Sequence, residues 1–234
     1  MDIHQFLSND YFLLTLTFGV YFLAKLVRKV FRLSLFNPIL VSIAFLIVFL
    51  RLADIDYEVY RVSGSKIDFW LKPAVVALGV PLYKQLNSIR KDLFPIFMSQ
   101  LVGCVVGIVS VVGIAHVMGA STEVVLSLAA KSVTTPIAME VTRSVGGIPA
   151  LTATIVVFVG IFGAIMGFHI LRYGRIGKPS SQGISIGTAS HAVGTSAAME
   201  RSMEHGAYAS LGLTLNGIFT AILAPYVLHL MGFM

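Results

Sequence analysis

Three stretches of this chain, residues 93–122, 144–171 and 205–234, contain no Asp, Glu, Lys or Arg, and they run for 30, 28 and 30 residues. About 20 apolar residues cross a bilayer core as an α-helix, so each stretch holds one span. Only 12% of the 234 residues are charged, about half the share of an ordinary soluble domain. That is too few to cover a soluble globule of this size. With 56% hydrophobic residues and one cysteine, the chain is neither a disordered segment nor a disulfide scaffold. The expected fold class is all-α, a polytopic membrane helical bundle. A closed β-barrel is the other spanning solution, but its alternating strands of about ten residues are absent.

Residues 33–50 and 11–24 give shorter apolar spans, and 69–84 give a sixth interrupted by Lys72 and Pro73. The N-terminal MDIHQFLSND lacks the basic segment and cleavage site of a signal peptide, so the first span is expected to stay. Cys104 lies inside an apolar run and reads as a buried structural thiol.

The net charge of +6 could point to nucleic acid, but its placement argues against that partner. Ten of the 17 basic residues sit in three loops: Lys25, Arg28, Lys29 and Arg32; Lys84, Arg90 and Lys91; Arg172, Arg175 and Lys178. Basic loops stay cytoplasmic, which puts the N-terminus outside. Following the spans, 93–118 leads out, and 148–171 must end inside before Arg172. Residues 122–147 therefore begin and end outside, as a re-entrant hairpin or without entering. Residues 183–206 begin inside. They either span, leaving the C-terminus inside, or form a hairpin, leaving it outside.

An internal repeat bears on both segments. Val133-Thr-Thr-Pro-Ile-Ala-Met-Glu140 aligns with Val193-Gly-Thr-Ser-Ala-Ala-Met-Glu200 at an offset of 60, with five of eight positions identical. Gly146 and Gly206, Leu151 and Leu211, and Thr154 and Thr214 extend the match without gaps. If both copies share a structure, both are hairpins. One span separates them, so they enter from opposite faces as an inverted repeat. The expectation is one membrane domain over 1–234, with 1–92 as scaffold helices and 122–172 and 183–232 as the repeats.

The repeats hold the polar residues. Pro136 suits the first turn of a new helix capped by Thr134 or Thr135, and Gly194 before Thr195 and Ser196 could make the matching break. Broken helices would aim free N–H groups at the midplane, where Ser132, Thr134, Thr135, Ser190, Thr195 and Ser196 could complete an anion site. Small residues could instead serve only close helix packing. His191 could bind substrate or carry a proton, or be a packing histidine bonded to backbone. Lys131 could attract an anion or snorkel to an interface. Glu140 and Glu200 could relay protons, or pair with Arg143 and Arg201. No nucleotide-binding loop, metal-ligand spacing or oriented nucleophile–base pair is present, so neither an enzyme nor a cofactor is expected.

The blocks Lys131-Ser-Val-Thr-Thr-Pro-Ile-Ala, Gly146-Gly-Ile-Pro-Ala and Gly187-Thr-Ala-Ser-His-Ala-Val-Gly-Thr resemble the LrgB/CidB family, which includes the YohK proteins. Asn37-Pro38, Lys72-Pro-Ala-Val-Val-Ala-Leu and Pro81-Leu-Tyr-Lys resemble its earlier blocks, and the likeness covers about residues 10–232. The resemblance implies a multi-pass bacterial inner-membrane protein beside a small LrgA/CidA-type membrane partner; a homo-oligomer is expected as well. It also implies one of two functions. One is antiholin-like modulation of murein hydrolase export and autolysis. The other is transport of small monocarboxylates, since the family's plastid relative resembles a glycolate/glycerate translocator and bacterial relatives are linked to pyruvate uptake. Ser132, Thr134, Thr135, Pro136, Ser190, His191, Gly194, Thr195 and Ser196 are then the expected carboxylate site, with Lys131, Glu140 and Glu200 as candidates for a proton or charge relay.

Overall fold

The computed structural model describes residues 6–31, 38–69, 73, 79–84 and 86–234. The chain divides into two compact units, Met1–Ala77 and Leu78–Met234. All regular structure among the described residues is helical. Four helices are long and apolar enough to cross a membrane, so the protein is an all-α, multi-pass membrane bundle with at least four spans. The expected span at 69–84 lies largely outside the described residues.

The first unit contains α1 (Asp10–Phe31), α2 (Pro38–Leu52) and α3 (Tyr57–Asp68). The helix α1 has spanning length, whereas α2 is apolar but only 15 residues long. Leu13, Leu50 and Ile55 are buried together where α1 meets the end of α2. The more polar α3 starts at Asp56, whose side chain accepts from Glu58 N. It is tied back to α1 by Asp10, which accepts from Ser63 Oγ and Lys66 Nζ at 2.6 Å each.

The second unit carries the repeats. Two short helices, α4 (Gly79–Lys84) and α5 (Leu86–Lys91), precede the long α6 (Leu93–Val117). A broken pair follows: α7 (Thr122–Leu128), irregular backbone, then α8 (Thr135–Val145). Gly146, at φ +84°, ends α8 in the left-handed conformation that glycine adopts without strain. Two long helices, α9 (Pro149–Tyr173) and α11 (Met203–Leu230), flank α10 (Pro179–Arg201).

The helix α10 is two arms rather than one rod. Its backbone leaves helical geometry at Ser190 (φ −133°, ψ 16°) and His191 (φ 43°, ψ −140°). A Cβ built on Gly194 would sit 3.0 Å from Ile186 Cγ2, although eight residues of straight helix separate two positions by about 12 Å. The arms are therefore folded together. Both also lie beside the start of α11: Gly183 and Gly187 of the first arm against His205 and Ala209, and Met199 of the second against Gly206. The break falls at Ser190–His191 and not at Gly194 as the sequence suggested. Gly194 instead serves as the seat that lets the returning arm approach Ile186.

Glycines set these close approaches. A Cβ on Gly187 would overlap Ala209 O, whereas one on Gly113, in α6, meets nothing within 4 Å. Backbone cannot yield as a flexible side chain can. Gly187→Ala is therefore expected to lower the melting temperature of the detergent-solubilised protein, by about 1–3 kcal/mol of stability. Gly113→Ala, which only improves helix propensity, is expected to leave it unchanged or raise it by up to about 1 kcal/mol. Equal behaviour of the two variants in thermal unfolding would contradict the folded-arm packing.

Candidate functional site

A cavity of about 290 Å³ lies where both broken segments meet α6 and α11. Lys131 and Ser132 enter from the break between α7 and α8, and Ser185, Thr188 and Ala189 from the first arm of α10. Ser99, Gln100 and Cys104 of α6, with Asn216 and Thr220 of α11, complete its polar wall. Among the described residues Lys131 is the one charged side chain on this lining, and none of the lining residues is a carboxylate. Its Nζ donates to Ser132 Oγ at 3.0 Å.

Two buried amides hold the walls. Asn216 Nδ2 donates to Thr188 O at 3.0 Å and reaches Ser132 O at 3.5 Å, so one side chain touches both breaks. Gln100 Oε1 accepts from Thr188 Oγ1 at 2.7 Å. Each amide is only 2% exposed. Carbonyls freed where a helix stops must find donors when water is excluded, and Asn216 supplies one to each segment. The second break is held by its own donor: His191 Nε2 donates to Val156 O of α9 at 2.8 Å. Val156 and Asn216 stand at the repeat's offset of 60. Each break is thus docked on the long helix that follows the other repeat.

Of the residues singled out from sequence, Lys131 and Ser132 line the cavity, and Lys131 and Ser190 line a neighbouring groove. Thr134 has N-cap backbone geometry (φ −61°, ψ 145°) with Thr135 and Pro136 opening α8, but its side chain makes no cap bond. Ser190 packs on α9, where a Cβ on Gly163 would overlap its Oγ. His191 is buried against Gly160, which has no Cβ to displace it. Thr195 is fully buried and donates to His191 O at 2.8 Å, spanning the new turn. Gly194 is buried between the arms, Pro136 and Ser196 are exposed, and Ser196 Oγ bonds Ala192 O of its own helix. Glu140 is exposed and paired with Arg143, and Glu200 is exposed. Arg201 lies over the Phe168 ring, 4.4 Å from its centroid. Among the described residues no group of three His, Cys, Asp or Glu could hold a metal.

Sequence reasoning missed Gln100, Thr188 and Asn216. Gln100 and Asn216 are the only amide side chains within the three charge-free stretches, and polar groups there are costly unless they have a task. Asn216→Leu keeps the bulk and removes a donor shared by two carbonyls. It is expected to lower the melting temperature, by about 1–2 kcal/mol of stability. An unchanged melting curve would show that Asn216 does not hold the breaks.

Residues 17–230 match the model of the LrgB-like family. The chain is 37% identical over 218 residues to the uncharacterized protein YwbG of Bacillus subtilis, covering 93% of this chain and 97% of that one. It is 35% identical over 229 residues to an uncharacterized protein of Haemophilus influenzae, covering 98% of each. It is 33% identical over 198 residues to the antiholin-like protein LrgB of Bacillus mycoides, covering 85% of this chain and 86% of that one. No solved structure matches the chain. The blocks at 131–138, 146–150 and 187–195 that form the two breaks and the turn after α8 all fall inside the matched span, and the chain belongs to the LrgB-like family.

Proposed function

We propose that this protein is a secondary transporter of small monocarboxylates, of the glycolate, glycerate, lactate or pyruvate class, in the bacterial inner membrane. The observation that carries this reading is the cavity at Lys131: one ammonium among hydroxyls and amides, with no carboxylate among the described residues of its walls. A cation in low-dielectric surroundings gains most from a counter-ion. A carboxylate supplies one in a charge-assisted pair that neighbouring hydroxyls can extend.

The broken helices support a midplane site. The helix α8 has 11 residues, and the arms of α10 have about as many. At about 1.5 Å per residue each reaches about 17 Å, half of a core about 30 Å thick. On this reading both pairs are re-entrant hairpins entering from opposite faces, 122–172 and 183–232 form an inverted repeat among about six spans, and both termini lie outside. Irregular backbone at that depth is tolerated because it is buried in protein and lines a cavity. Alternating access consists of the hairpins shifting against α6 and α11, opening the cavity to one face at a time. No catalytic step or cofactor is needed, since the substrate moves unchanged.

A second reading is an antiholin-like modulator of murein hydrolase export, working with a small LrgA/CidA-type partner. The name of the Bacillus mycoides relative, antiholin-like protein LrgB, speaks for it directly. A modulator needs assembly but no substrate cavity.

Uptake of radiolabelled glycolate, lactate and pyruvate into proteoliposomes tests the first reading. The wild type is expected to accumulate at least one of them. Lys131→Met is expected to reduce uptake about 10- to 100-fold, the worth of a charged hydrogen bond, while its assembly in detergent is retained. No flux across a range of pH, with or without the partner, overturns transport. Unaltered autolysis control by Lys131→Met would then favour the modulator.

A further inference from the structure

Beside the polar cavity, between α9 and the first arm of α10, lies an apolar groove of about 560 Å³. Phe158, Val159, Phe162, Ile170 and Leu171 of α9 and Ile186 of α10 form most of its wall. Phe158 and Phe162 are 66% and 59% exposed and stand on a spanning helix, so the groove opens toward the hydrocarbon of the bilayer. Lys131, Ser185 and Ala189 line both this groove and the polar cavity. Among the described residues Lys131 is the one charged side chain on either lining. An ammonium carries three donors, and Ser132 Oγ takes one.

We propose that the site accepts amphiphilic monocarboxylates, with the carboxylate at Lys131 and an aliphatic tail of about six to eight carbons lying in the groove against Phe158 and Val159. This rests on the reading of Lys131 as the anion site. Charge complementarity fixes the head end, and the apolar wall fixes the tail end. A neutral acyl chain would leave the ammonium without its counter-ion. A short hydroxy acid would leave the groove unused. Each methylene moved from water into the groove strengthens binding about fourfold, so an eight-carbon acid is expected to bind at least about tenfold more tightly than lactate.

The chain has one tryptophan, which allows a direct test on the full protein in nanodiscs. In a Trp70→Phe background, Phe158→Trp places an indole on the groove at an exposed position, and ω-bromooctanoate serves as quencher. Quenching that saturates, is competed by lactate and is lost in Lys131→Met supports the proposal. Val159→Phe, which fills the groove, should weaken bromooctanoate at least about fivefold more than it weakens lactate. Quenching that rises without saturation and ignores Lys131→Met, as for simple partition into lipid, overturns it. Lactate flux with such unsaturable quenching rejects the tail groove and leaves the transport reading standing. Saturable, Lys131-dependent quenching without flux of any short acid does the reverse.

Discussion

One constraint shapes the second unit: a helix that stops in buried surroundings frees backbone groups that water cannot satisfy. In the repeats the chain stops helices after Leu128 and at Ser190–His191. It settles the resulting carbonyls with three polar contacts. Asn216 donates to Thr188 O and reaches Ser132 O, and Thr195 donates to His191 O. His191 in turn donates outward to Val156 O. No buried side-chain nitrogen or oxygen among the described residues lacks a partner. The breaks are therefore built features, each anchored to a long apolar helix.

Close approach is the second requirement, and it depends on missing side chains. Gly160 and Gly163 clear the space on α9 for His191 and Ser190, and Gly187 and Gly212 let α10 and α11 meet backbone to backbone. Inside a bilayer there is little hydrophobic drive between helices, so packing of this kind supplies much of the association. The positive φ of His191, +43°, is uncommon for a residue with a Cβ. Such backbone costs about 1–3 kcal/mol and persists only where its surroundings over-determine it. The His191–Val156 and Thr195–His191 bonds are that determination. With the sequence offset of 60 they tie the two breaks into reciprocal positions.

Charge completes the arrangement by being scarce. Glu140 and Arg143 neutralise each other at the surface, and Arg201 lies over an aromatic ring. Among the described residues Lys131 alone brings charge to the cavity wall. It stands between hydroxyls and amides on one side and an apolar groove on the other.

The sequence by itself determined the class, the long spans and the positions of the broken segments. Charge-free runs report on the bilayer directly, and a gapless repeat needs no tertiary knowledge to be seen. It also marked Lys131 and Ser132, because polar residues in an apolar chain are few. Tertiary structure alone decided that α10 turns at Ser190–His191. Local preference favoured Gly194, but packing against Gly160 and Gly163 fixed the turn four residues earlier. It alone separated Thr195 and Ser196, neighbours in sequence, into a buried bond and an exposed side chain. It alone brought Gln100 and Asn216, more than 100 residues apart, to one wall. Periodicity and motifs record what each segment does with its own neighbours. The cavity is made of contacts between segments, which no local pattern encodes.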